Sequence, residues 1–131
     1  MAAQSFDNRD GWIWMDGQFV QHRDARVHVL THAMHYASAV FEGERAYDGV
    51  IFKSREHSER LHTSARILGF QLPYSAEEID RAKAELIARQ GTPNCYMRAI
   101  AWRGSEQMGV SAKRDDVHVA ISSWVWGDYF A

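Results

Sequence analysis

Two Asp-Gly dipeptides, Asp16-Gly17 and Asp48-Gly49, do most to limit what this chain can become. The pair tolerates the left-handed backbone of a two-residue turn, so placed between β-prone runs it is a strong short-range hairpin signal. Trp12 to Met15 and Gln18 to Val20 flank the first; Val40 to Tyr47 and Val50 to Lys53 flank the second. Strands joined by such turns must run antiparallel. Asp24 to Leu30 alternates Ala25, Val27 and Val29 with Arg26 and His28, which predicts a half-buried strand or extended segment. Thr31 to Ser38 is histidine-rich, has no clear period, and reads as a polar connection.

The pattern then changes to a helical one. Ser54 is placed to cap a helix from about Arg55 to Leu68, with Leu61, Ala65 and Leu68 on one face and Gly69 ending it. Ser75-Ala76-Glu77-Glu78 has the form of a capping box and opens a second amphipathic helix, with Ile79, Ala82, Leu86 and Ile87 inward and Gly91 at its end. Strands are expected again over Asn94–Arg103 and Val117–Trp124. Strands, two helices, then strands is an α+β order: a mostly antiparallel sheet with two amphipathic helices packed on it.

With 131 residues the chain fits one domain. Its 15 Lys and Arg against 17 Asp and Glu leave a formal charge of −2, and Lys113-Arg114-Asp115-Asp116 mixes signs, so neither nucleic acid nor an anionic membrane is an expected partner. No apolar run approaches the roughly 20 residues of a membrane-spanning helix. Cys95 stands alone, which excludes an intramolecular disulfide, and Met1–Ser5 has neither a basic start nor an apolar run. These features predict a soluble, cytoplasmic domain.

Few residues suggest chemistry by spacing alone. There is no phosphate-cradling glycine loop and no Gly-x-Ser-x-Gly elbow. His32/His35 and His57/His62 lack a third ligand, so hydrogen-bonded histidines are the expected reading over a metal site. Trp12/Trp14 and Trp124/Trp126 could each pave a patch, with core or interface packing the plainer reading. Arg60 lies on the first helix amid Glu56, His57, Glu59 and His62, a setting typical of a solvated mixed-charge face. Tyr96 and Arg98, two apart on a strand, share a face with Met97 opposite. A hydroxyl beside a planar guanidinium could clamp a carboxylate, or the arginine could simply reach water from an edge strand. From the residues alone the reading ends at an α+β domain with a candidate anion-binding face.

Several local patterns together go further. Trp12 to Val20 with its turn, Ala25-Arg26-Val27-His28-Val29, His35-Tyr36 and Phe41-Glu42-Gly43 resemble the opening of bacterial branched-chain amino acid aminotransferases. So do Arg55-Glu56-His57, Arg60-Leu61-His62, Ser64-Ala65, Tyr96-Met97-Arg98, Met108-Gly109-Val110 and Trp126-Gly127 with Tyr129, in order and at matching intervals. That family is the class IV, fold-type IV group of pyridoxal phosphate enzymes, which exchange an amino group between leucine, isoleucine or valine and 2-oxoglutarate.

The resemblance implies roles residue by residue. Arg60 matches the arginine that binds the cofactor phosphate, Tyr96 the tyrosine that helps hold the substrate α-carboxylate, and Arg98 the arginine that receives the side-chain carboxylate of glutamate. Phe41, Gly43, Trp126 and Tyr129 resemble residues lining the apolar pocket, where Gly43 would leave room for a branch, and Arg45 matches a neighbouring site arginine. Tyr36 and Val110 match residues that reach into the other subunit's site, which implies a homodimer or a higher oligomer.

In that family the Schiff-base lysine lies in a large domain, and none of Lys53, Lys83 and Lys113 stands in its context. The implied organisation is a flexible lead-in over 1–11, the small domain over 12–126 and the start of an interdomain linker over 127–131. The chain alone is therefore expected to be inactive, its activity belonging to a full-length enzyme. A stand-alone binding or dimerisation module is the alternative. So is the small domain of a related class IV enzyme: a D-amino acid transaminase, an amine transaminase or an aminodeoxychorismate lyase.

Overall fold

The computed structural model describes residues 4–112 and 116–126. Strand β1 (Trp12–Met15) and strand β2 (Gln18–Gln21) form the first hairpin; β3 (Ala39–Tyr47) and β4 (Val50–Ile51) form the second. Asp16 and Asp48 have φ of 50° and their glycines 89° and 83°, the left-handed pair that a tight hairpin demands. Two long strands, β5 (Cys95–Arg103) and β6 (Val117–Trp124), lie between the hairpins. The six-stranded sheet runs β2-β1-β6-β5-β3-β4, and every neighbouring pair is antiparallel.

Helices α2 (Ser54–Ile67) and α3 (Ala76–Gln90) cover one face of this sheet. Leu61 and Ala65 from α2 and Ile79, Ala82, Leu86 and Ile87 from α3 meet Cys95, Met97, Ala99 and Ala101 of β5 and Val119 and Ile121 of β6. The core positions of β5 fall on every second residue, so Tyr96, Arg98, Ile100 and Trp102 are turned to the opposite face, which these two helices leave open. The expected capping box is present: Glu78 N–H donates to Ser75 Oγ at 3.1 Å, and the Ser75 N–H returns to Glu78 at 3.3 Å. Trp14 is buried in the core with Trp12 packed beside it, so this tryptophan pair serves packing.

Four local expectations need correction. Asp24–Leu30 forms no strand: after a 3₁₀ turn at His22–Asp24 it finds no neighbour to pair with, and Ala25 and Val27 instead line a groove over the open face. Thr31–Ser38 contains a helix, α1 (His32–Tyr36), whose five residues are too few to display a period. Ser54 is not the cap of α2; Lys53, at φ 59°, precedes the helix, and Ser54 Oγ donates to Asp80 on α3 at 3.0 Å. Leu68 does not face the core. The Gly69 N–H bonds the Arg66 carbonyl and the Phe70 N–H the Ala65 carbonyl, a Schellman turn that leaves Leu68 43% exposed and delivers Phe70 inward.

Candidate functional site

Register places the sequence-predicted substrate residues on one surface. Gly43 pairs with Arg98 and Arg45 with Tyr96, while Phe41 opposes Ile100; Tyr96 pairs in turn with Trp124. Directly opposed residues share a face, so Phe41, Gly43, Arg45, Tyr96 and Arg98 all stand on the open side. Arg98 donates from Nε at 3.2 Å and from Nη2 at 2.9 Å to the Tyr96 hydroxyl. Its guanidinium carbon lies 4.4 Å from the centre of the Phe41 ring. The Tyr96 ring clusters with Trp124, at 4.8 Å, and Trp126, at 5.0 Å, and Arg45 Nη2 donates to the Trp126 carbonyl at 3.3 Å. Tyr129 lies outside the described residues.

Gly43 has a specific physical reason. A Cβ built there would collide with the Tyr96 hydroxyl and approach Cζ within 3.1 Å. The space left by the missing side chain is thus filled by Tyr96, not left open for a substrate branch. With both fork nitrogens of Arg98 directed at it, the Tyr96 oxygen is an acceptor whose own proton is free to be donated outward.

A hollow of about 380 Å³ follows the edge of β3, lined by Gly43, Glu44, Arg45, Tyr47, Phe52, His57 and Tyr96. It joins the open face to α2. Arg60 belongs to that helix, and its side chain is 64% exposed. Its Nε lies 3.0 and 2.9 Å from the two oxygens of Glu42, and Nη2 lies 2.8 Å from Oε1. His57 Nδ1 meets the same Oε1 at 2.7 Å. Burial opposes charge on Glu42, but the hydrogen bonds from Arg60 and His57 outweigh it and hold the carboxyl below its ordinary range. One edge of the Arg60 fork is therefore fixed by Glu42 while the remaining N–H groups face outward. An exposed, oriented guanidinium fits a phosphorylated cofactor at this position.

The sequence reading missed Glu42, His57 and a second group behind them. Lys83 is fully buried and donates to Glu44 Oε1 at 2.7 Å, to Ser58 Oγ at 2.8 Å and to the Ser54 carbonyl at 3.2 Å. Burial pushes the Glu44 carboxyl above its usual value, with the Lys83 charge acting against it. One signal was available: Lys83 falls in the apolar stripe of Ile79, Ala82, Leu86 and Ile87, and Glu44 falls on the core phase of β3. Tyr36 and Val110 are 44% and 75% exposed, at some remove along the sheet. They are joined through the loop after β5: the Tyr36 hydroxyl donates to the Met108 carbonyl at 3.1 Å, and buried His32 reaches the Gly109 carbonyl at 3.0 Å. Among the described residues no cluster of three His, Cys, Asp or Glu side chains is placed to hold a metal. No described helix is long and apolar enough to cross a membrane.

The fold is thus a helix-backed antiparallel sheet presenting a tyrosine–arginine pair on its open face, with a second arginine at its edge. Residues 39–131 match the family model for amino-transferase class IV, and the chain belongs to that family. It is 46% identical over 129 residues to the branched-chain-amino-acid aminotransferase of Pseudomonas aeruginosa, covering 95% of this chain and 42% of that protein. The crystal structure of the Escherichia coli branched-chain amino acid aminotransferase superposes with a TM-score of 0.89 at 37% identity, over 94% of this chain and 42% of that one. The T.th. branched-chain amino acid aminotransferase complexed with N-(5'-phosphopyridoxyl)-L-glutamate gives 0.85 at 38% identity, over 90% of this chain and 42% of that one. The chain thus spans about two fifths of the length of these relatives.

Proposed function

We propose that this chain is the small domain of a pyridoxal phosphate-dependent branched-chain amino acid aminotransferase, acting on leucine, isoleucine and valine with 2-oxoglutarate. The observation that carries the reading is the Tyr96–Arg98 pair, held on the open face by the close approach at Gly43 and by the tilted and edge-on rings of Trp124 and Trp126. The Tyr96 hydroxyl, already accepting from Arg98, donates its proton to the substrate α-carboxylate. Arg98 keeps its unused N–H groups for the second carboxylate of glutamate. Phe41 and Trp126, with Tyr129 beyond the described residues, offer the apolar surface that a branched side chain needs, and Arg45 adds positive charge at the pocket's edge. Arg60 holds the cofactor phosphate.

When bound, the cofactor supplies the electron sink that lets an amino group be exchanged. The resemblance assigns its Schiff-base lysine to the large domain, and Lys83 has every ammonium hydrogen engaged. The glutamate adduct in the T.th. relative supports an acidic substrate in that protein's site. Tyr36 and Val110, both exposed, reach toward a second subunit's site in a homodimer or higher oligomer.

The test is Arg98→Ala in the full-length protein. A charge-assisted hydrogen bond contributes roughly 1.5–3 kcal/mol, so kcat/KM for glutamate and 2-oxoglutarate should fall roughly 10- to 100-fold, with leucine affected much less. Equal losses for both substrate classes would refute the clamp.

A further inference from the structure

We infer that Glu42 is a positioning residue, holding Arg60 in the orientation in which it meets the cofactor phosphate; this rests on reading Arg60 as the phosphate contact. Glu42 sits between two open-face residues, Phe41 and Gly43, yet its own side chain points to the helix side and is only 6% exposed. Its carboxylate is not paired inward. Glu44, two residues along the same face, takes the buried Lys83, whereas Glu42 turns its oxygens to Arg60 and His57 at the rim of the β3-edge hollow.

An ion pair with a largely exposed arginine adds little to stability, so folding energetics alone give no reason to bury this acid. What the arrangement does is geometric. Both carboxylate oxygens chelate the Nε side of Arg60, fixing a side chain that would otherwise sample many rotamers, and leave the outer fork free. His57 donates Nδ1–H to the same oxygen and keeps the carboxylate from rotating. A phosphate arriving at Arg60 then meets a donor already aimed.

The positioning role and plain electrostatics make opposite predictions. Glu42 is a negative charge beside a proposed dianion site, so on charge alone Glu42→Gln should tighten phosphate binding. Positioning requires that it weaken, because the amide offers one acceptor oxygen where the carboxylate offers two. The experiment uses the full-length protein and compares dissociation constants for pyridoxamine 5'-phosphate and for pyridoxamine, which lacks the phosphate. Their ratio, the constant for pyridoxamine divided by that for pyridoxamine 5'-phosphate, isolates the phosphate contribution, and partial loss of folded protein affects both ligands alike.

The ratio should fall roughly tenfold in Glu42→Gln, the lower end of what outer-shell partners cost a bound ion. Glu42→Asp, which keeps the charge but shortens the reach, should fall comparably. Glu42→Gln combined with Arg60→Ala should be no worse than Arg60→Ala alone. If Arg60→Ala lowers the ratio while Glu42→Gln leaves it unchanged or raises it, positioning is overturned and the phosphate reading stands. A wild-type ratio in Glu42→Asp overturns it as well. If Arg60→Ala itself leaves the ratio unchanged, the phosphate reading fails and takes this inference with it.

Discussion

Along β3, Glu42, Glu44 and Ala46 turn toward the helices while Phe41, Gly43 and Arg45 turn to the open side. The helix side is closed: Ala46 is fully buried, Glu44 is sealed with Lys83, and Leu61 and Ile79 pack over them with no exposed surface. On the open side Phe41 remains 55% exposed, and Arg98 lies among aromatic rings with donors to spare. One strand thus presents a closed surface and an open one, the latter proposed for recognition, separated by the period of two. Glu42 apart, whose proposed role is to position Arg60, substitutions on the first should act through folding, and substitutions on the second through ligand discrimination.

The largest effect is expected on the closed side. Lys83→Ala leaves Glu44 buried without its counter-ion, which typically costs about 3–5 kcal/mol, and urea unfolding would show it directly. In whatever fraction stays folded, the preference between glutamate and leucine should be unchanged. A shifted preference would mean that the two surfaces are coupled. Gly43→Ala comes next and crosses the boundary. The added methyl must displace the Tyr96 ring, an overpacking that costs about 1–3 kcal/mol, and it should also raise KM for dicarboxylic substrates. A change in unfolding midpoint with KM untouched would count against Tyr96 as a substrate contact.

The smallest effect concerns pH and the Trp102 end of the open face, away from Tyr96 and Arg98. His118 meets Asp16 at 2.7 Å and Glu106 at 3.3 Å. Burial disfavours its charge, but Asp16 and then Glu106 outweigh it and hold its pKa above the ordinary 6.5. The charged imidazole therefore stabilises the fold fully below 6.5 and progressively less as pH rises through the folded value. His118→Gln should flatten the dependence of urea midpoint on pH between about 6 and 8, by less than about 1 kcal/mol. An unchanged slope would show that the two carboxylates do not hold the proton.

What could be read from the sequence was what is locally determined. The Asp-Gly turns are legible because left-handed backbone is a property of two residues, and the Ser75–Glu78 box because its partners are three apart. The shared face of Tyr96 and Arg98 follows from the strand period. The roles given to Arg60, Phe41, Gly43 and Arg45 came from resemblance, since nothing in spacing brings a helix and a strand to one edge. Glu42 and Glu44 stayed hidden because a charge on the core phase of a strand makes sense only once its partners, Arg60 and Lys83, are known from the tertiary fold. Helix α1 escaped because its anchors are the Ser38 hydroxyl and the distant Gly109 carbonyl, not a repeating apolar pattern.

The three acceptors around Lys83 have a chemical consequence for handling this protein. An amine reacts with an aldehyde through its lone pair, and here the nitrogen is held by three acceptors and shut away from reagent. Exposed Lys53 offers no such shelter. Under brief reductive alkylation Lys53 should modify at once, while a tag on Lys83 records that the molecule opened during exposure. The residue is a built-in chronometer of unfolding, readable by peptide mass without any assay of catalysis.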